Sequence, residues 1–204
     1  MRQATTSARA AMQVLDFQNL VHKGLLEKVT RHHPFHPDLA SSIKTLSVYE
    51  KDQRGIRIEM DEHRNVYLTI HPILRPGKRD AYILYHEFGH IADRLDPDFG
   101  YQQQERLALS PVQEECFLQL WNVYIDTRLK QQDLFCLPAG GEVEISVDGI
   151  RYKLPKSEVS TYLLETAAHL SQRGVPRAGS LVQAIWEHPE RRLTFQDLLD
   201  PIMR

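Results

Sequence analysis

The sequence predicts an α+β fold, and three observations carry that expectation. Three short runs rich in β-branched and aromatic residues, Thr45 to Tyr49, Gly55 to Met60 and Asn65 to Ile70, follow one another closely. Two longer segments, Arg79 to Leu95 and Ser110 to Gln131, then place apolar residues at helical spacing. A second strand pair, Glu142 to Leu154 around Asp148-Gly149, precedes further helical stretches. A chain of 204 residues encloses a core as one domain spanning 1–204, and one domain is the expectation here.

The elements justify themselves in order. Ala11, Val14, Leu15, Leu20, Val21, Leu25 and Val29 recur at helical spacing, so Ala8 to Thr30 reads as a helix that His33-Pro34 stops. Arg31-His32-His33-Pro34-Phe35-His36 reads as a solvated loop, with metal binding as the alternative for a His-rich tract. The second and third strands are joined by the polar turn Asp61-Glu62-His63-Arg64, and a small antiparallel sheet is the simplest assembly of the three.

A loop from Pro72 to Lys78, punctuated by Pro76-Gly77, leads into the first long helix, which ends before Pro97 because proline disfavours helical geometry at Asp96. After the polar stretch Tyr101-Gln102-Gln103-Gln104, Ser110 caps the second long helix and Pro111 fits its first turn. Leu137-Pro138-Ala139-Gly140-Gly141 breaks the pattern before the hairpin. Ser157 to Ser171 is a further helix, and Leu181 to Trp186 and Thr194 to Leu199 are two short ones.

Composition excludes several functions. A formal charge of -2 gives no global pull toward nucleic acid or anionic lipid. With 42% hydrophobic and 25% charged residues, the chain suits neither a disordered nor a membrane protein. Met1 to Leu20 lacks the apolar run of a secretory signal, and no segment is apolar enough to span a bilayer. Cys116 and Cys136 are too few for a disulfide framework or a four-thiolate metal site, and free thiols are expected. A soluble cytoplasmic protein follows from these together.

The chemistry concentrates in His86-Glu87-Phe88-Gly89-His90. Two histidines four residues apart project from nearly one side of a helix whose buried face is Ile83, Leu84, Phe88, Ile91 and Leu95. Their imidazoles converge on one point. Glu87 lies about 100° round the helix from His86, flanking a bound ion and placed to take a proton from its water. This is the arrangement of a zinc hydrolase. Gly89 costs the helix about 1 kcal/mol relative to alanine, which suggests a close backbone approach there.

The motif, followed by a helix bearing an acid, resembles the zincin metallopeptidases and is most similar to the compact gluzincin-type members. The resemblance covers roughly Gly55 to Lys130 (about 55–130). It implies a zinc-dependent peptidase in which His86, His90 and a downstream acid bind Zn2+ and Glu87 is the general base. It also implies that the last strand of the sheet, Asn65 to Ile70, pairs with extended peptide or protein substrate.

Three acids compete for the third ligand. Asp126 shares a helix face with Asn122 one turn earlier, so Asp126 would bind zinc while Asn122 supports it. Similar Trp-Asn-x-x-x-Asp helices follow the motif in some zincin-like families. Glu115, with Glu114 beside it, has a separation from His90 also usual for gluzincins, but Gln119 stands where those proteins often place Asp. Glu115 and Asp126 are about 16 Å apart along a helix and cannot both bind one ion. Asp96 has metzincin-like spacing, yet Asp93 replaces the expected Gly and no Met follows between Met60 and Met203.

Tyr101, Tyr124, Tyr162 and His169 are weaker candidates for oxyanion support, each more simply a core or surface residue. Two other readings stay open at this level. One is a non-catalytic, zincin-derived binding or regulatory protein, and the other a zinc hydrolase of a non-peptide amide.

Overall fold

Alternation at period two shapes the first sheet: Leu46 and Val48, and likewise Val66, Leu68 and Ile70, are buried, while Tyr49 after Val48 and Tyr67 after Val66 face outward. The computed structural model describes residues 13–15, 20–50, 56–70, 77–101, 107–147 and 149–203. The start of the expected first helix, Gly55, Pro72 to Pro76, Gln102 to Gln104 and Asp148 lie outside them. The chain forms two compact units, Met1–Ala92 and Asp93–Arg204.

In the first unit, β1 (Gln13–Leu15), β2 (Thr45–Glu50), β3 (Arg57–Met60) and β4 (Asn65–Ile70) form one sheet in the order β1-β2-β4-β3. It is mixed, which corrects the antiparallel expectation. β1 and β4 both run parallel to β2, and only β3 and β4 are antiparallel. Parallel neighbours need long connections. Here α1 (Leu20–Arg31) and α2 (Leu39–Ser42) lie in the chain between β1 and β2.

The expected helix from Ala8 is also corrected. Gln13–Leu15 pairs with Thr45 to Ser47, and the helix begins at Leu20. A third correction concerns the strand expected to receive substrate. β4 is interior, so its ladder is shared between β2 and β3, and the sheet ends in β1 and β3.

The β3–β4 turn is held by one carboxylate. Asp61 Oδ1 accepts from the backbone N–H of His63 (2.9 Å) and Asn65 (2.8 Å), and Oδ2 accepts from Asn65 Nδ2 (2.9 Å). These bonds from Asn65, foremost, hold the Asp61 carboxyl below its usual range. Asn65 Oδ1 in turn accepts from the Thr45 hydroxyl (2.8 Å), tying the turn to β2.

The second unit is built on α4 (Pro111–Gln131), which begins as its sequence predicts: Ser110 and Gln113 form a reciprocal capping box and Pro111 opens the first turn. From Leu120 to Leu129 every residue is buried or half-buried. β5 (Glu142–Val147) and β6 (Ile150–Pro155) form the expected hairpin, in register from Glu142↔Pro155 to Val147↔Ile150. α5 (Val159–Gln172), α6 (Ala178–Glu187) and α7 (Phe195–Leu199) complete it, the last capped by a Thr194 and Asp197 box. Phe99, Phe117, Trp121 and Phe195 form its aromatic centre, with Phe99 and Trp121 stacked at 5.4 Å.

Cys116 and Cys136 are free thiols, as expected. Among the described residues no helix is long and apolar enough to cross a membrane.

Candidate functional site

The motif lies on α3 (Lys78–Leu95). Leu84, Tyr85, Phe88, Ile91 and Ala92 bury one face of it, with Asp80 in the first turn and Arg94 in the last complementing the helix dipole. His86, Glu87 and His90 are half-buried beside that face, and Gly89 is buried. The rings of His86 and His90 meet edge to face, their centroids 5.2 Å apart at 74°. Tyr82 stands one turn earlier, its ring 5.9 Å from that of His86.

The histidine loop before the sheet is not wholly solvated, and this corrects the sequence reading. His33 is 1% exposed, and its Nε2 hydrogen-bonds the backbone carbonyl of Tyr85 at 2.9 Å. Nδ1 accepts from the Phe35 amide at 3.4 Å, so Nε2 carries the proton. His33 thus grips α3 one residue before His86. An X-His-Pro stop signal gives no sign of such a role.

The acids of the second unit have different partners. Asp126 is 2% exposed and its Oδ2 accepts from the Tyr162 hydroxyl at 2.7 Å. Asn122, one turn earlier, is half-buried. Glu115 has its side chain 39% exposed and is held by Arg173, through Nε (3.1 Å) and Nη2 (3.2 Å), with His169 Nε2 at 3.1 Å. The Arg173 hydrogen bond, first among several causes, holds its carboxyl below the usual range. Asp96 is engaged by Arg192 Nη2 at 2.8 Å and accepts from the Asp98 amide.

The oxyanion candidates separate in the same way. The Tyr124 hydroxyl accepts from the Leu193 amide at 3.2 Å, and burial pushes its pKa up. Tyr101 carries the Arg94 guanidinium over its ring at 4.6 Å. His169 faces Glu115. Two of the four thus meet a candidate ligand, Tyr162 at Asp126 and His169 at Glu115.

One group escaped the sequence reading. Asp93 is 2% exposed and receives Arg128 through Nη1 (2.9 Å) and Nη2 (2.6 Å), with Trp121 Nε1 at 2.7 Å on Oδ2. Burial pushes the carboxyl up and the guanidinium opposes it. Asp93 follows His90 by three residues in the chain, and its forked ion pair with Arg128 belongs to the second unit. Its only sequence signal is an acid within a helix and an Arg two residues after Asp126.

His86, Glu87 and His90 belong to the first unit, and Glu115, Asn122 and Asp126 to the second. Among the described residues, no three His, Cys, Asp or Glu side chains are drawn into one metal-sized group. Comparison with protein-family models, with curated proteins and with solved structures finds no match for the chain.

Proposed function

We propose that the chain is a zinc-dependent peptidase of zincin type, with His86 and His90 as two metal ligands, Asp126 as the third and Glu87 as the general base. The adjacency of the two imidazoles, 5.2 Å between ring centroids on one helix flank, carries the reading. Two imidazoles and a carboxylate are a donor set suited to zinc with a position left for water. Asp126 is preferred to Glu115 because Glu115 is committed to Arg173 and His169, whereas Asp126 is buried with a hydroxyl donor on one oxygen.

Zinc held by these residues would supply a water acidified toward neutrality and a Lewis acid for the scissile carbonyl. Glu87, beside His86 in the helix, would be the base for such a water and the proton donor to a leaving amine. Asn122 and Tyr162 would orient Asp126, the tyrosine through its hydrogen bond to Oδ2.

Glu87→Gln tests the assignment. The variant is expected to bind one zinc per chain with wild-type affinity and to lose peptide turnover by about 10²-fold or more. Wild-type turnover in Glu87→Gln would refute the mechanism, and no zinc uptake by the unmodified chain would refute the centre.

A further inference from the structure

Between α6 and α7 the second unit holds a cleft of about 580 Å³, within the range of small-molecule sites. Leu181, Ala184, Ile185 and Leu198 give it an apolar wall. Arg177, His188, Arg191, Asp197 and Asp200 bring charge to it.

The charges are not equally free. Asp197 Oδ2 accepts from the Thr194 amide (2.9 Å) and hydroxyl (2.8 Å), which hold its carboxyl below the usual range. Asp200 Oδ1 accepts from Gln196, and His188 Nδ1 faces Glu190 at 3.2 Å. Both acids therefore serve α7 and its cap. Arg191 helps hold the Asp197 carboxyl down, and Arg177 has no side-chain hydrogen bond or ion pair among the described residues, so the cleft offers two guanidinium forks beside two carboxylates that already have donors of their own.

Arg177 also sits where the backbone favours glycine, at φ +53° and ψ +35°. For an L-residue that conformation is strained, and such strain gathers at ligand clamps. It precedes α6, whose N-terminus has no side-chain cap, so the helix dipole adds to the attraction for an anion.

We propose that this cleft binds a small monocarboxylate with an apolar body, its carboxylate between the guanidiniums of Arg177 and Arg191 and its body against Leu181, Ile185 and Leu198. The guanidinium fork matches a carboxylate. Asp197 and Asp200 on the same lining disfavour a dianion such as a phosphate monoester. The site is independent of the zinc reading.

The test is a titration of the full chain with 3-phenylpropionate, followed by the side-chain N–H resonances of arginine and by calorimetry. Saturable binding at or below about 10 mM is expected, with shifts at Arg177 and Arg191. The uncharged 3-phenylpropionamide should bind at least about 10-fold more weakly, as should the carboxylate to Arg191→Gln. Arg177→Gly should also weaken binding, yet raise the melting temperature because glycine accepts this backbone without strain, so loss of binding is separated from loss of fold. Unchanged binding in both variants, shifts confined to another region, or tighter binding of phenyl phosphate than of the carboxylate would overturn the assignment.

Discussion

Replacing Arg128 by methionine keeps much of the side-chain volume while removing both guanidinium bonds to Asp93, at 2.9 and 2.6 Å. It also removes the cation over the Tyr124 ring, whose centroid lies 4.0 Å from the guanidinium carbon. Asp93, at 2% exposure, keeps only the Trp121 indole N–H of its three described hydrogen bonds. Breaking a buried pair in this way costs about 3–5 kcal/mol. In a chain of this size that is a fall of roughly 6–20 °C in melting temperature.

The loss has a pH signature. Burial already pushes the Asp93 carboxyl up, and without Arg128 nothing comparable opposes it. A carboxyl with a higher pKa folded than unfolded holds more protons in the folded state. Stability of the variant therefore falls as pH rises above the unfolded value, by up to about 1.4 kcal/mol per pH unit. Urea unfolding between about pH 5 and about pH 8, read by circular dichroism, measures it. Asp93→Leu combined with Arg128→Met should recover most of the loss, because it removes the stranded charge. A cost under about 1 kcal/mol in Arg128→Met, with a wild-type pH slope, would refute the reasoning.

Three further outcomes follow from the geometry. His33→Ala removes a buried contact with the carbonyl of Tyr85 and should cost about 1–3 kcal/mol, with faster hydrogen exchange in the α3 turn around His86. Tyr162→Phe should weaken zinc binding about 10-fold or more, seen by competition with a chelating dye, and should cost the metal-free chain about 1–3 kcal/mol for the bond taken from buried Asp126. The Asp61 carboxyl is depressed in the fold, so its contribution is present above its unfolded pKa and fades as pH falls through the lower folded value. Protection of the His63 and Asn65 amides, taken relative to their intrinsic exchange rates at each pH, should fall in that acid range, and should be low at every pH in Asp61→Ala.

Much of the local structure was legible. α4 starts at Ser110-Pro111 because its cap is encoded within four residues, and β4 matches its apolar alternation at both ends. The helix of His86 and His90 runs from Lys78 to Leu95, one residue longer than its spacing suggests. What escaped depends on distant partners. Val14 and Leu15 fit a helical period, but Gln13–Leu15 pairs with β2 about thirty residues on, and no local signal reports that pairing. Strand direction escaped for the same reason, since parallel pairing to β2 is a property of the connections and not of the strands.

The histidine pair of the candidate centre was readable because i and i+4 geometry is local. The partners of the acids were not. Nothing near Glu115 in sequence announces Arg173, and nothing near Asp126 announces Tyr162. His33 and Asp93 escaped because a charged or aromatic polar residue reads as exposed unless its partner is known.

The enclosure of α4 between Leu120 and Leu129 has a further consequence, for how the chain can change over generations. A surface helix has one face free to drift, whereas this stretch has none. Three of its polar residues answer to a specific atom: Thr127 to the Val123 carbonyl, Asp126 to Tyr162, Arg128 to Asp93. Substitutions here must arrive in pairs or be rejected, so descendants of this sequence would diverge first in the hairpin and in the turns, and last along these ten residues.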